Sequence, residues 1–205
     1  AGANPNSKNN KGRTALHLAA QKGHTEMVSL LRAKKANVNE TDDNGWTALH
    51  VAALFGQAKV VTALLLAEAN PNEQDHTEKT ALHVAAQNGH TEVVTALLEA
   101  EGIDVNTTDD KEMTALHWAA KNGHTQMVKR LLAEGANVNA TSGNGWTALR
   151  IAEEYGHTDV VKLLIDNQIK LNEALLKSIK KRDINKVNTL IEKGANPNAK
   201  NNNGE

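Results

Sequence analysis

The apolar residues of this chain occur in short clusters that recur about every 33 residues. Each of five cycles contains a Thr-Ala-Leu-His block (Thr-Ala-Leu-Arg in the fifth), small residues, a Gly-His pair (Gly-Gln in the second) and a second apolar cluster, such as Met127, Val128, Leu131 and Leu132. Residues at these intervals share one face of an α-helix. The pattern therefore predicts two short helices in each cycle, with their apolar faces turned toward neighbouring cycles.

Local signals at the helix ends support this prediction. Thr114 is placed to cap a first helix over residues 114–122, and His117 can reach back to it as the Glu of a capping box would. A positive φ is expected at the Gly between the two helices, which is Gly23, Gly56, Gly89, Gly123 or Gly156. Helices of about two to three turns do not persist alone in water, so each pair must stack on its neighbours.

These motifs resemble those of the ankyrin repeat family, whose signature is Thr-Pro-Leu-His, Ala-Ala, Gly-His, Val-Val-x-x-Leu-Leu and Gly-Ala-Asp-Val-Asn. The resemblance implies one all-α solenoid of helix-turn-helix repeats with β-turn finger loops over residues 1–205. The family's Pro is replaced by Ala in all five blocks, and Lys35, Glu68 and Gln168 replace the Gly expected after the second helix. The predicted parts are a partial exit loop (1–8), five repeats (9–41, 42–74, 75–108, 109–141 and 142–171) and a capping-like repeat with its exit loop (172–205).

The capping-like repeat, here called the sixth unit, has no Thr-x-Leu-His block. We expect its first helix over residues 173–182, its second over 183–193 and an exit loop from Gly194. Residues 194–205 nearly repeat residues 2–13, which suggests a window cut from a longer array, or a permuted or tandem copy. Head-to-tail contact between the ends of two molecules is a hypothesis that follows.

In the ankyrin family, the residue before the Thr and the exposed end of the first helix line a concave groove for partners. Four of the five aromatic residues of this chain fall at such positions. Trp118 instead occupies a position that is Leu, Val or Ile in the other repeats, so we expect it in the core. The predicted partner-binding residues are Arg13, Trp46, Leu54, Phe55, Lys79, Met113, Lys121, Trp146 and Tyr155.

Composition removes several other classes of function. The net charge of −1 argues against a dedicated nucleic-acid binder, and the lack of cysteine excludes disulfides and Cys-ligated metals. Eight of the nine histidines belong to the repeated motif, at a spacing of seven residues that does not suit two metal ligands on one helix face. No phosphate loop or nucleophile elbow occurs. We therefore expect no enzyme activity, cofactor or metal, and the lack of cysteine and of a signal or transmembrane segment favours the cytoplasm.

The sequence thus predicts a scaffold that binds a protein or peptide partner, without a membrane partner. Two alternatives stay open. The chain could be the repeat segment of a larger secreted effector or toxin whose activity lies elsewhere. The sixth unit could also contact an anionic ligand or nucleic acid through its cations, which are Lys177, Lys180, Lys181, Arg182 and Lys186.

Overall fold

The computed structural model describes residues 4–200. Within that range the chain forms eleven α-helices and no β-strand, apart from one isolated bridge between Thr141 and Thr147. None of these helices is long and apolar enough to cross a membrane. The helices are α1 (Ala15–Lys22), α2 (Thr25–Ala33), α3 (Ala48–Leu54), α4 (Ala58–Leu66), α5 (Ala81–Asn88), α6 (Thr91–Leu98), α7 (Ala115–Lys121), α8 (Thr125–Ala133), α9 (Ala148–Glu154), α10 (Thr158–Lys180) and α11 (Ile184–Glu192).

The chain divides into two compact units, Ala1–Asp110 and Lys111–Glu205. In the first unit α1 packs against α3 and α3 against α5, while α2 packs against α4 and α4 against α6. First helices therefore stack on first helices and second helices on second helices. Leu49, Leu64, Leu82 and Leu97 are fully buried between them. This arrangement confirms the predicted all-α class of stacked helix pairs.

The predicted helix caps are present. Thr47 has an extended backbone, with φ −85° and ψ 169°, and its N–H donates to His50 Nδ1 at 3.2 Å. The same bond recurs at the start of α1, α5 and α7. His50 thus takes the part that Glu or Gln takes in a capping box, as expected.

The turns between the helices also agree with the prediction. Gly56 has φ +68°, and a Cβ atom there would lie 2.8 Å from Nδ1 of His90 in the following repeat. The left-handed backbone favours glycine, and the close approach of His90 leaves no room for a side chain. Lys35 and Glu68, which stand where glycine was expected, adopt φ values of 65° and 66°.

The second unit departs from the prediction in the helix that follows the fifth repeat. A single helix of 23 residues, α10, runs from Thr158 to Lys180 through the expected exit loop at Gln168. The expectation of a separate first helix over residues 173–182 is therefore wrong, and the proposed boundary between residues 171 and 172 lies inside α10. The segment has neither Gly nor Pro between residues 158 and 180 to end the helix, and Gln168 Nε2 donates to Asn172 Oδ1 one turn later.

Helix α10 and helix α11 form a hairpin with a small core of its own. Leu175, Leu190 and Ala195 are buried there, with Leu171 and Val187 packed against them. The loop after α11 then returns to the fourth repeat, because Asn139 Nδ2 donates to the Gly194 carbonyl at 2.7 Å. The same kind of bond joins Asn72 to the Gly102 carbonyl in the first unit.

The long helix therefore lets the loop at residues 194–198 contact the exit loop of the fourth repeat directly. The hypothesis of head-to-tail contact between chain ends also involves residues 1–3 and 201–205, which lie outside the described residues. It stays a prediction.

Candidate partner-binding surface

In the second and third repeats, a hydrogen bond to the backbone carbonyl holds the residue before the Thr and leaves its side chain free of that contact. His17 Nε2 lies 2.7 Å from the carbonyl oxygen of Trp46, and His50 Nε2 lies 2.9 Å from that of Lys79. Because Nδ1 of each ring accepts the Thr N–H, Nε2 carries the proton and donates to the carbonyl. The cap histidine of one repeat thus fixes the surface residue of the next.

The burial of these histidines favours their neutral form. His17 and His50 are each 1% exposed. Burial lowers the pKa of both imidazoles below 6.5, and the backbone hydrogen bonds to Trp46 and Lys79 oppose that shift only in part. At neutral pH both rings therefore keep one nitrogen as acceptor and one as donor.

The end of the first helix is held in a similar way by the turn histidine of the following repeat. His90 Nε2 lies 2.9 Å from the Leu54 carbonyl, and His157 Nε2 lies 2.9 Å from the Lys121 carbonyl. The sequence did not predict these links, although the cap histidine and the turn histidine each occur in four of the five regular repeats. The separations of 29 and 36 residues are signals that a search for contacts between cycles could have used.

Aspartates organise the finger loops of the first unit. The Asp42 carboxylate accepts the N–H groups of Asn44 and Trp46 at 2.9 and 3.1 Å, and the Asp75 carboxylate accepts those of Thr77 and Lys79 at 2.8 and 3.0 Å. Burial raises the pKa of both carboxyls, but these hydrogen bonds outweigh it and the net shift is downward.

The aspartates that start these loops therefore shape them. Asp42 and Asp109 are 5% and 2% exposed, whereas the next residues, Asp43 and Asp110, are exposed. Of the acidic pairs on the finger loops, only the second member faces solvent.

In the first unit, several predicted site residues line one groove. Trp46, Leu54 and Lys79 border a recess of about 480 Å³ together with Gln87 and Asn88. Trp46 and Leu54 are half-buried, and the Lys79 ammonium donates to Gln87 Oε1 at 3.1 Å. The groove thus combines apolar, cationic and amide side chains in one lining.

The other two predicted residues of the first unit lie outside this lining. Phe55 follows α3 and is 45% exposed. Arg13 is half-buried, and its Nε pairs with the buried Asp42 carboxylate at 3.2 Å. That pairing ties Arg13 to the next finger loop, so a structural role accounts for its position.

In the second unit, the aromatic residues pair with cations. The Arg150 guanidinium lies 4.7 Å from the centre of the Trp146 ring. The Lys121 ammonium lies 5.4 Å from the Tyr155 ring and 5.3 Å from the Trp118 ring. Tyr155 is 52% exposed and Trp118 is 7% exposed, as expected for a surface residue and a core residue.

Met113 does not lie where the sequence placed it. It is 9% exposed, so the expectation of an exposed side chain at this position is wrong. A flexible thioether folds readily onto apolar neighbours, whereas the ammonium of Lys79 at the same position in the previous repeat must stay hydrated. The predicted surface therefore loses one residue in the fourth repeat.

No metal centre competes with this interpretation in the part of the chain that the structure describes. There, no group of three or more His, Asp or Glu side chains is arranged to hold a metal ion. His76, the one histidine outside the motif, is exposed on a finger loop beside the groove.

The capped helix pairs, the left-handed turns and the histidine links between cycles define a helical repeat protein. The chain belongs to the ankyrin repeat family, whose repeats match residues 1–75, 60–142 and 127–201 in three copies. Ankyrin repeats generally mediate protein–protein interactions, and proteins of this family are typically non-enzymatic binding scaffolds. No curated protein matches the sequence significantly.

Proposed function

We propose that this chain is a protein-interaction scaffold that grips a loop or peptide of its partner on the surface formed by the finger loops and the ends of the first helices. The observation that carries the proposal is the groove of the first unit, where Trp46, Leu54 and Lys79 meet. Tryptophan is over-represented among the residues that dominate binding energy at interfaces. A second contact area is formed by Trp146, Tyr155 and Lys121 of the second unit.

The chemistry of the groove defines the segment that it would take. Trp46 and Leu54 offer an apolar wall for one aliphatic or aromatic side chain. Lys79 adds a cation to the lining of the same groove, and a carboxylate two to four residues from the apolar anchor would complement it. We therefore propose a peptide with one apolar anchor followed or preceded closely by an acidic residue.

Peptide selection tests this proposal. The full chain is used to select binders from a displayed library of random 12-residue peptides, and the selected peptides are measured by titration calorimetry. Trp46→Ala is expected to weaken binding by at least about tenfold, the usual effect of removing a central aromatic contact. Lys79→Gln is expected to weaken the binding of peptides that contain Asp or Glu and to leave the binding of neutral peptides unchanged.

Leu66→Ala is the matched control, because Leu66 is 82% exposed and lies outside the groove. Circular dichroism establishes whether each variant keeps its fold. Selected peptides that bind equally well to wild type, Trp46→Ala and Trp146→Ala would contradict the proposed surface. A collapse of thermal stability in Trp46→Ala would assign that ring to the fold instead.

A further inference from the structure

The turn between α10 and α11 forms a tip that is exposed along its whole length. Every residue from 179 to 186 is exposed, whereas Leu175 and Leu190 on the two helices below it are buried. Arg182 holds φ +56° at the centre of the turn, at the position that glycine takes in the turns of the regular repeats. We call residues 177–186 the basic tip.

The charge of the basic tip is strongly one-sided. It contains five cations and one carboxylate, a net charge of +4, so the remaining 195 residues of a chain with net charge −1 carry −5. The carboxylate, Asp183, caps α11 by accepting the Lys186 N–H at 3.1 Å. Within residues 4–200, none of the five cations forms an ion pair.

Three of these cations surround one recess. Lys177, Lys181 and Lys186 line a space of about 330 Å³ between the two helices, together with Ala174, the buried Ser178 and the one carboxylate of the tip, Asp183. The three lysines outnumber the single carboxylate around this recess, and ammonium groups suit a phosphate, which offers several acceptor oxygens and negative charge.

Two large apolar side chains share the tip with these cations. Ile184 is 72% exposed and Ile179 is 50% exposed. A phosphate ion in water offers no apolar surface for exposed isoleucines to contact. The sixth unit also contains no aromatic residue on which a nucleic-acid base could stack. The combination of apolar side chains and cations on one exposed turn matches a surface that is anionic outside and apolar beneath.

We propose that the basic tip binds the surface of an anionic phospholipid membrane. The isoleucines enter the boundary between headgroups and acyl chains, and the cations contact lipid phosphates around the recess. This is a peripheral contact, and it revises the expectation of no membrane partner without requiring a helix that spans the bilayer. The sequence showed the cations but not the exposure of Ile179 and Ile184 beside them.

Vesicle co-sedimentation tests the proposal with the full chain. The chain is expected to bind vesicles of phosphatidylcholine with 30% phosphatidylserine and to be released from them by high salt. Each cation that is removed from the tip should weaken this binding about fivefold. Lys181→Gln combined with Lys186→Gln should therefore weaken binding about 25-fold. Ile184→Ser should weaken it about tenfold. Vesicles of phosphatidylcholine alone should bind little.

Matched controls separate the tip from general surface charge. Lys129→Gln combined with Lys162→Gln removes two exposed cations elsewhere, and Leu66→Ser removes an apolar side chain that is 82% exposed. Both controls should bind like wild type. Equal losses in the controls and in the tip variants would overturn the proposal.

A label reports insertion directly and does not depend on the variants above. Because the chain has no cysteine, Ile184→Cys provides a single attachment point for an environment-sensitive fluorophore. Its emission should shift to shorter wavelength with anionic vesicles, and a label at Asp159→Cys should not respond. Binding that is insensitive to Ile184→Ser, with no shift of the label, would show a purely electrostatic contact and overturn the proposed entry of the isoleucines into the lipid surface.

Discussion

Replacing His50 tests how the repeats are held together. The side chain is 1% exposed, its Nδ1 accepts the Thr47 N–H at 3.2 Å, and its Nε2 donates to the Lys79 carbonyl at 2.9 Å. His50→Ala removes the imidazole and leaves the Thr47 N–H and the Lys79 carbonyl without these hydrogen bonds. Each unsatisfied buried group costs about 1–3 kcal/mol, so the free energy of unfolding should fall by about 2–6 kcal/mol.

His50→Gln divides this effect into its two parts. A glutamine at the third helical position can still accept the Thr47 N–H, as in a capping box, but it leaves the Lys79 carbonyl without its donor. Its cost should therefore be about half that of His50→Ala. The fifth repeat offers a natural comparison, because Arg150 replaces the histidine there and its guanidinium lies on the Trp146 ring instead.

The same geometry predicts how stability depends on pH. Burial lowers the pKa of His50 below 6.5 in the folded chain, so the unfolded chain binds more protons in the window below pH 6.5. Stability from this group is complete above that window and is lost as pH falls toward the folded pKa. The slope for one group reaches about 1.4 kcal/mol per pH unit.

Urea unfolding followed by circular dichroism at pH 7.5 and pH 5.5 provides the measurement. Wild type should lose more stability between these values than His50→Gln, because the variant lacks the titrating ring. His76→Gln is the control, since His76 is exposed and bridges no helices. If His50→Gln kept the full pH dependence of wild type, or if His50→Ala cost less than about 1 kcal/mol, the role assigned to these bridges would be refuted.

Three further predictions concern stability. Gly56→Ala should lower the melting temperature more than Gly156→Ala, because a Cβ at Gly56 would lie 2.8 Å from His90 Nδ1 whereas one at Gly156 meets nothing within 4 Å. Equal losses would mean that backbone strain alone accounts for the lower melting temperature. Arg182→Gly, at φ +56°, should raise the free energy of unfolding of the second unit by up to about 1 kcal/mol in urea titration, and a loss would contradict the strain at that turn. Trp118→Ala should cost about 3–5 kcal/mol in the same titration, because the ring is 7% exposed, and a cost below 1 kcal/mol would place it outside the core.

The regular repeats could be predicted from the sequence because their signals are local. A cap residue, an apolar stripe and a glycine each act within one helix turn, and their repetition shows which residues are equivalent. Thr47, His50 and Gly56 were assigned correctly in this way. The same alignment of cycles put Trp118 in the core because its counterparts are aliphatic.

The sixth unit could not be predicted from the same alignment. Gln168 stands at the position where the other repeats have a left-handed residue after the second helix. Because no residue near it ends a helix, helical hydrogen bonding continues and α10 extends to Lys180. Met113 shows a second limit. Alignment gives the position of a residue in the repeat but not the packing of its side chain, and Met and Lys at one position were buried to different extents.

The histidine links explain how such a chain can vary its surface without disturbing its fold. The cap histidine binds the carbonyl of the residue before the next Thr, and the turn histidine binds the carbonyl at the end of the previous first helix. Both bonds are made to backbone atoms, so they place no demand on the side chains of Lys79 or Leu54. Substitution of Lys79 or Leu54 should therefore change the choice of partner and lower the free energy of unfolding only slightly. Substitution of either histidine should lower the free energy of unfolding whichever partner is bound. A surface that is positioned by backbone contacts alone can therefore carry tryptophan in one repeat and lysine in the next.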